Sequence, residues 1–160
     1  MLNQVPVGLG EFKVSQRPED ILVAYGLGSC LAVGMYDPTR GIAGLLHAVL
    51  PTSNGEGPYS PKYVDSGIRV LMNTLTQHGA NRYRTTIYLA GGASVLALSG
   101  YTHTFNIGSR NIAAAYEFLA GERLPVTGSD IGGKNGRTVR LYVSDGRVTV
   151  RSMGQPEKEI

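Results

Sequence analysis

In the stretch Ile21-Leu22-Val23-Ala24-Tyr25-Gly26-Leu27-Gly28-Ser29-Cys30-Leu31-Ala32-Val33-Gly34-Met35-Tyr36, two apolar runs are separated where Gly26-Leu27-Gly28-Ser29-Cys30 interrupts them with two glycines. Asp37-Pro38-Thr39-Arg40 then turns the chain, which returns through Gly41 to Leu50. Ile21–Tyr25 and the two arms around the turn read as short buried strands. The arms are apolar on both faces, as strands covered on both sides must be. Asp at the first turn position and Pro at the second favour a type I turn, the usual core of a four-residue hairpin loop. With Asp37–Arg40 as that loop, Tyr36 faces Gly41 and Cys30 faces His47, with Cβ atoms ~4.5–5.5 Å apart on one face of the sheet. A five-residue loop would send the two side chains to opposite faces.

Outward from this hairpin the elements follow from periodicity. Val5, Val7 and Leu9 alternate near the start, and Phe12–Val14 reads as a short strand. Pro51 to Pro61 is a polar loop rich in Gly, Pro and Ser, long enough for a mobile flap over a site. Val64, Ile68, Leu71 and Leu75 recur at helical spacing, predicting a helix from about Lys62 to His78 with Gly79 as its left-handed stop. Thr85–Ala90 is a β-branched strand ending at Gly91-Gly92. Ala93–Phe105 has no clear period. A second helix fits Arg110–Leu119, with Ile112, Tyr116 and Leu119 on one side and Ser109 as its N-cap. Leu124–Thr127 reads as a strand. Val139, Leu141 and Val143 alternate, turn at Asp145-Gly146, and return through Val148 and Val150. The polar tail from Gly154 is expected to fray. Two helices among seven or more strands predict a mixed α/β fold, and the absence of repeats or a linker predicts one domain over residues 1–160.

Composition narrows the function classes. Glycine supplies 22 of 160 residues, about twice its usual share, which predicts many tight turns or close backbone approaches. Fifteen Lys+Arg against twelve Asp+Glu leave a net charge of +3, too mild and scattered to argue for nucleic acid. No apolar run approaches the ~18 residues that cross a bilayer, and no export signal is evident at the N-terminus. One cysteine excludes an internal disulfide and a Cys-only metal site, and a lone thiol fits a reducing cytoplasm. Gly132-Gly133-Lys134-Asn135-Gly136-Arg137 lacks the spacing of a phosphate loop, and Gly26-Leu27-Gly28 lacks the third glycine of a dinucleotide fingerprint. His78 fits a helix C-terminus better than a metal, and His103 falls in the unpatterned stretch. No metal and no cofactor are expected.

Cys30 and His47 are the candidate catalytic pair. Lone cysteines commonly serve as small buried hydrophobes, and a histidine within an apolar strand is commonly a hydrogen-bonded core residue. Placed side by side, however, imidazole and thiol have chemistry in common. The imidazole is expected to lower the thiol pKa from ~8.5 and to protonate a leaving amine. Gly26 and Gly28 leave room for a substrate at the backbone and let the turn present N–H groups to an oxyanion.

Gly26–Cys30 and Gly44-Leu45-Leu46-His47-Ala48-Val49-Leu50-Pro51 resemble blocks of the CheD family of chemoreceptor glutamine deamidases. The likeness continues through Ala90-Gly91-Gly92-Ala93-Ser94, Asn106-Ile107-Gly108-Ser109-Arg110-Asn111 and Asp130–Arg137, covering about residues 7–153 in family order. It implies two β-layers flanked by helices, similar to the catalytic domain of the cytotoxic necrotizing factor toxins. It also implies a cytoplasmic enzyme that hydrolyses receptor glutamines to glutamate through a thioester, with Cys30 as nucleophile and His47 as catalytic histidine. Chemoreceptor cytoplasmic domains and a CheC-type phosphatase are the implied partners. The family's third catalytic position, a threonine six residues before the cysteine, is Ala24 here. A backbone carbonyl, Tyr25 or another polar group would have to orient the imidazole, and reduced activity is expected. The competing readings are a non-catalytic module that binds receptors and a CheC-type phosphatase, and a Cys–His hydrolase or acyltransferase with a small-molecule substrate.

Overall fold

The computed structural model describes residues 1–94 and 106–160. The sequence expectations for residues 95–105, including His103, lie outside the described residues. In chain order the elements are β1 (Asn3–Pro6), β2 (Glu11–Ser15), β3 (Asp20–Leu27), β4 (Leu31–Asp37), β5 (Ile42–Ala48) and α1 (Val64–Gln77). Then come β6 (Thr86–Gly91), α2 (Ile107–Gly121), β7 (Gly128–Ile131), β8 (Arg137–Tyr142), β9 (Val148–Ser152) and β10 (Lys158–Glu159). Among the described residues the strands form two five-stranded sheets, ordered β1-β3-β8-β9-β10 and β2-β5-β4-β6-β7.

The apolar patterning explains the layering. Every residue of β4 and β5 is buried, because these strands sit in the middle layer. Leu31, Val33 and Met35 of β4 pack with Ile42, Leu46 and Ala48 of β5 against the buried faces of both helices. The alternate residues Ala32 and Tyr36, with Ala43 and Leu45, pack against Leu22, Ala24, Leu27, Val139 and Leu141 of the other sheet. The order is therefore sheet, sheet, helices, and both helices lie on one side. Val64, Ile68, Leu71 and Leu75 of α1 are fully buried, as their spacing requires. Fully burying a side chain of this size contributes roughly 1.5–3 kcal/mol.

Several boundaries differ from the sequence expectations. The loop between β4 and β5 is Pro38–Gly41, and Asp37 pairs with Ile42 while Ala32 pairs with His47. Asp37 is the last paired residue of β4 and serves the loop as well: its carboxylate accepts from the Thr39 and Arg40 N–H groups, and its carbonyl accepts from the Gly41 N–H. Gly41, at φ +64°, closes the loop in a left-handed conformation. Helix α2 starts at Ile107, ahead of the expected Ser109 cap, and no side chain caps it. Its buried face is Gly108, Asn111, Ala114, Ala115 and Leu119, whereas Tyr116 is exposed. The strand expected at Leu124–Thr127 forms instead at Gly128–Ile131, parallel to β6.

The last hairpin pairs Leu141 with Val148, so its loop is longer than Asp145-Gly146. The tail does not fray. Lys158 and Glu159 pair with β9, the Ile160 N–H donates to the Val148 carbonyl, and Lys158 meets Asp130 at 2.8 Å. The Pro51 to Pro61 loop is tied to the start of α1 rather than standing free as a flap. Asp65 accepts from the Ser53 N–H, Tyr63 donates to Glu56, and Arg69 donates to the Pro58 carbonyl.

Candidate functional site

Cys30 lies just before β4, and the β4–β6 ladder continues through it: the Gly92 N–H donates to the Cys30 carbonyl at 2.9 Å. The side chain is half-buried and packs against the cluster between the two sheets. His47 lies in β5, paired directly with Ala32. Cys30 is two residues before Ala32, so the pair shares a face but lies on a diagonal, not directly opposite as the turn chemistry suggested. The loop moved by one residue on each side, which preserved the face and changed the partner. Diagonal neighbours are typically ~7–8 Å apart at the backbone, and no hydrogen bond joins the Cys30 sulfur to the imidazole in this arrangement.

The imidazole is fixed from the first β-strands. His47 is 3% exposed. Its Nδ1 lies 3.0 Å from the Val7 carbonyl, and its own carbonyl accepts from the Gly10 N–H at 2.8 Å. A carbonyl can only accept, so Nδ1 carries the proton and, in the neutral ring, Nε2 is left as a bare acceptor. Nε2 is buried and has no hydrogen-bond partner among the described residues. This is the state a general base needs. Ala24 faces the space between the sheets and contributes only a methyl group. Tyr25 is half-exposed and donates to Gln4. Of the orienting groups weighed from sequence, the one that meets the imidazole among the described residues is a backbone carbonyl, that of Val7.

The electrostatics of the thiol run opposite to the sequence expectation. Burial pushes the Cys30 thiol up, and its own backbone N–H acts weakly the other way. Burial here favours the neutral thiol over the thiolate.

The loop carrying Cys30 is braced by main chain. The Ala93 N–H donates to the Gly28 carbonyl, the Gly132 N–H to Gly91, and the Ser94 N–H to Gly133. Buried Arg137 anchors the outermost of these segments, donating to the carbonyls of Asp130, Gly132 and Asn135 and to the Asp130 carboxylate. No described residue accepts a hydrogen bond from the Ser29 or Cys30 N–H. Gly91 holds φ +108°, and a Cβ there would lie 2.3 Å from the Cys30 carbonyl oxygen. Gly91→Ala is therefore expected to cost about 1–3 kcal/mol from the backbone conformation alone. That corresponds to a fall in melting temperature of roughly 2–4 °C per kcal/mol, readable by circular dichroism. An unchanged melting curve would contradict the close contact.

Three elements of the site were not found from sequence. The Val7 carbonyl has no side-chain signature. Arg137 was noted only as the end of a glycine-rich loop. Asn111 carried a signal, a polar residue on what proves to be the buried face of α2, but the misplaced helix start hid it. Among the described residues no cluster of His, Cys, Asp or Glu could hold a metal ion, and no helix is long and apolar enough to cross a membrane.

Comparison with known proteins places the chain in a family. Residues 49–152 match the family model of CheD chemotactic sensory transduction. The chain is 42% identical to the probable chemoreceptor glutamine deamidase CheD of Symbiobacterium thermophilum, over 96% of this chain and 95% of that protein. It is 38% identical to the protein of the same name from Caldanaerobacter subterraneus, covering 96% of each. The chemoreceptor glutamine deamidase CheD of Halalkalibacterium halodurans is 34% identical over the whole of both chains. Among solved structures, the Bacillus licheniformis hypothetical protein YfiH aligns at a TM-score of 0.49 with 16% identity, over 74% of this chain and 49% of that one. The family match and the near-complete coverage of these relatives give one conclusion: the chain belongs to the CheD family.

Proposed function

We propose that this protein deamidates glutamine side chains on the cytoplasmic domains of chemoreceptors, with Cys30 as nucleophile and His47 as general base and acid. The observation that carries the reading is the buried Nε2 of His47, without a partner among the described residues and on the same sheet face as the protein's one thiol. The names of its relatives support the substrate class.

The steps follow from the tautomer. As the glutamine side chain enters, His47 Nε2 takes the Cys30 proton and the sulfur attacks the amide carbon. The Ser29 and Cys30 N–H groups, unpaired among the described residues, receive the resulting oxyanion. Collapse expels ammonia, which takes its proton from the imidazolium, and leaves a thioester on Cys30. Water, deprotonated by Nε2, attacks the thioester and releases glutamate. Throughout, the Val7 carbonyl holds Nδ1–H, a role a threonine hydroxyl would share. Loss of an orienting group in a serine triad costs as much as ~10⁴ in rate. With the carbonyl in place, Ala24 is expected to lower activity by much less.

The test is to mix the protein with chemoreceptor cytoplasmic fragments and follow conversion of glutamine to glutamate by peptide mass spectrometry. Site-specific conversion with release of one ammonia per site is expected. A receptor that is bound but never converted would overturn the catalytic reading in favour of an interaction module of the kind that also engages a CheC-type phosphatase. Turnover of free glutamine alone would point to a small-molecule hydrolase.

A further inference from the structure

We infer that Asn111 is a positioning residue that fixes the sulfur of Cys30 against the imidazole of His47, an inference that rests on the deamidase reading above. Asn111 is fully buried in the first half of α2, on the opposite side of the middle sheet from the inter-sheet cluster. Its Nδ2 donates to two main-chain carbonyls, Ser29 at 2.8 Å and Val49 at 3.1 Å. Ser29 is the residue immediately before the nucleophile, and Val49 is two residues beyond the histidine. Because both partners are carbonyls, only the amide NH₂ can face them, and its orientation is unambiguous.

One NH₂ group thus joins the two segments at the point where their own ladder has ended. The last paired residues of β4 and β5 are Leu31 and Ala48. Beyond them β5 leaves its neighbour, for the Val49 and Leu50 N–H groups both donate to the Lys62 carbonyl. Cys30 remains tied to the β6 side through the Gly92 N–H, and without the Asn111 bridge nothing described would tie its segment to the end of β5.

The sequence supplies the close approach that the bridge requires. Gly108, one turn earlier on the same helix face, lies so near the Gly92-Ala93 main chain that a Cβ would be 2.4 Å from the Ala93 carbonyl oxygen. A glycine there lets α2 descend onto the loop and brings Asn111 within hydrogen-bond reach of Ser29. A buried asparagine in a helix interior is disfavoured by its own propensity and by desolvation, and its Oδ1 has no partner among the described residues. Holding the reacting groups in register is the gain set against that penalty. A misplacement of about 1 Å between reacting groups can reduce turnover ~10²-fold.

The experiment compares Asn111→Ala and Asn111→Leu with the wild-type protein on receptor fragments, with rates normalised to the folded fraction from circular dichroism. Leu fills the space without a donor, and Ala removes both. The expected result is a fall of ~10²-fold in kcat in both variants with KM for the receptor within about twofold, since the groups misaligned are those that react. A normal kcat in folded Asn111→Leu would reduce the residue to a space filler and overturn the inference. So would a loss confined to KM. The bridge is read independently in the wild-type protein, where the Asn111 side-chain NH₂ signals in a ¹H–¹⁵N spectrum are expected to exchange slowly with solvent; fast exchange overturns the inference even if neither variant folds. A wild-type protein that converts no receptor glutamine sinks the deamidase reading and this one with it, whereas an active wild type with fully active variants sinks the positioning role alone.

Discussion

Cys30→Ala is expected to bring receptor deamidation down to background, and His47→Ala to lower it ~10²–10⁴-fold while leaving the thiol in place. The two losses differ in kind. Without the sulfur there is no covalent intermediate. Without the ring, the thiol must lose its proton to solvent, and ammonia must leave without a positioned acid. The partial burial of the thiol makes that first step hard at neutral pH, because burial disfavours the thiolate. Iodoacetamide alkylation of Cys30 separates the cases. In the resting wild-type protein its rate is expected to rise with pH through a midpoint above the ~8.5 of a free thiol, and in His47→Ala to do the same. A wild-type midpoint near neutrality that moves up in the variant would reveal a preformed ion pair and replace the general-base mechanism. Equal deamidation by wild type and Cys30→Ala would end the assignment of the nucleophile.

The largest stability effect is expected at Asp37, which has no catalytic part. Its side chain is fully buried at the end of β4. One oxygen accepts from the Thr39 and Arg40 N–H groups and from Arg84 Nε at 3.0 Å, and the other accepts from the Asn81 N–H at 2.8 Å. Burial pushes this carboxyl up, but Arg84 and the three backbone donors together outweigh it and hold the group below the ordinary carboxylate range. Asp37→Ala strands these donors and is expected to cost about 3 kcal/mol or more, a fall in melting temperature of roughly 6–12 °C.

Asp37→Asn preserves shape and is expected to fare little better, since either orientation of the amide turns an NH₂ toward one of the N–H donors. The folded-state value lies below the unfolded one, so the contribution is complete above about pH 4 and is lost as pH falls through the depressed folded value. The difference in melting temperature between wild type and Asp37→Ala should therefore shrink in acid. A difference that stays constant to low pH would show that the carboxylate's charge has no part in it.

How much of this could be read from residues alone depends on the range of the interactions. Leu31–Tyr36 and the Gly41–Leu50 arm are apolar on both faces, and a strand with two buried faces has few other places to go. The spacing of Val64, Ile68, Leu71 and Leu75 was equally plain. The face shared by Cys30 and His47 was legible because turn chemistry limits loop length. Their exact pairing was not, because Asp37 can cap the loop with its side chain while its backbone remains in the ladder. The start of α2 was hidden by Ile107-Gly108-Ser109, where glycine argues against a helix and no side chain caps it. The ordered tail depends on Lys158 meeting Asp130 and on Ile160 packing between the sheets, contacts across long sequence separations that composition does not announce.

The Val7 carbonyl that steadies His47 belongs to the main chain, and every amino acid brings the same oxygen to that place. Replacing Val7 would alter packing without removing the acceptor, and changes at position 24 leave it untouched. A group of this kind is inherited with the path of the first strands rather than with any letter of the sequence. Relatives that differ at position 24 can therefore keep a competent imidazole, and a search for catalytic groups by side-chain identity will pass over the one that aims it.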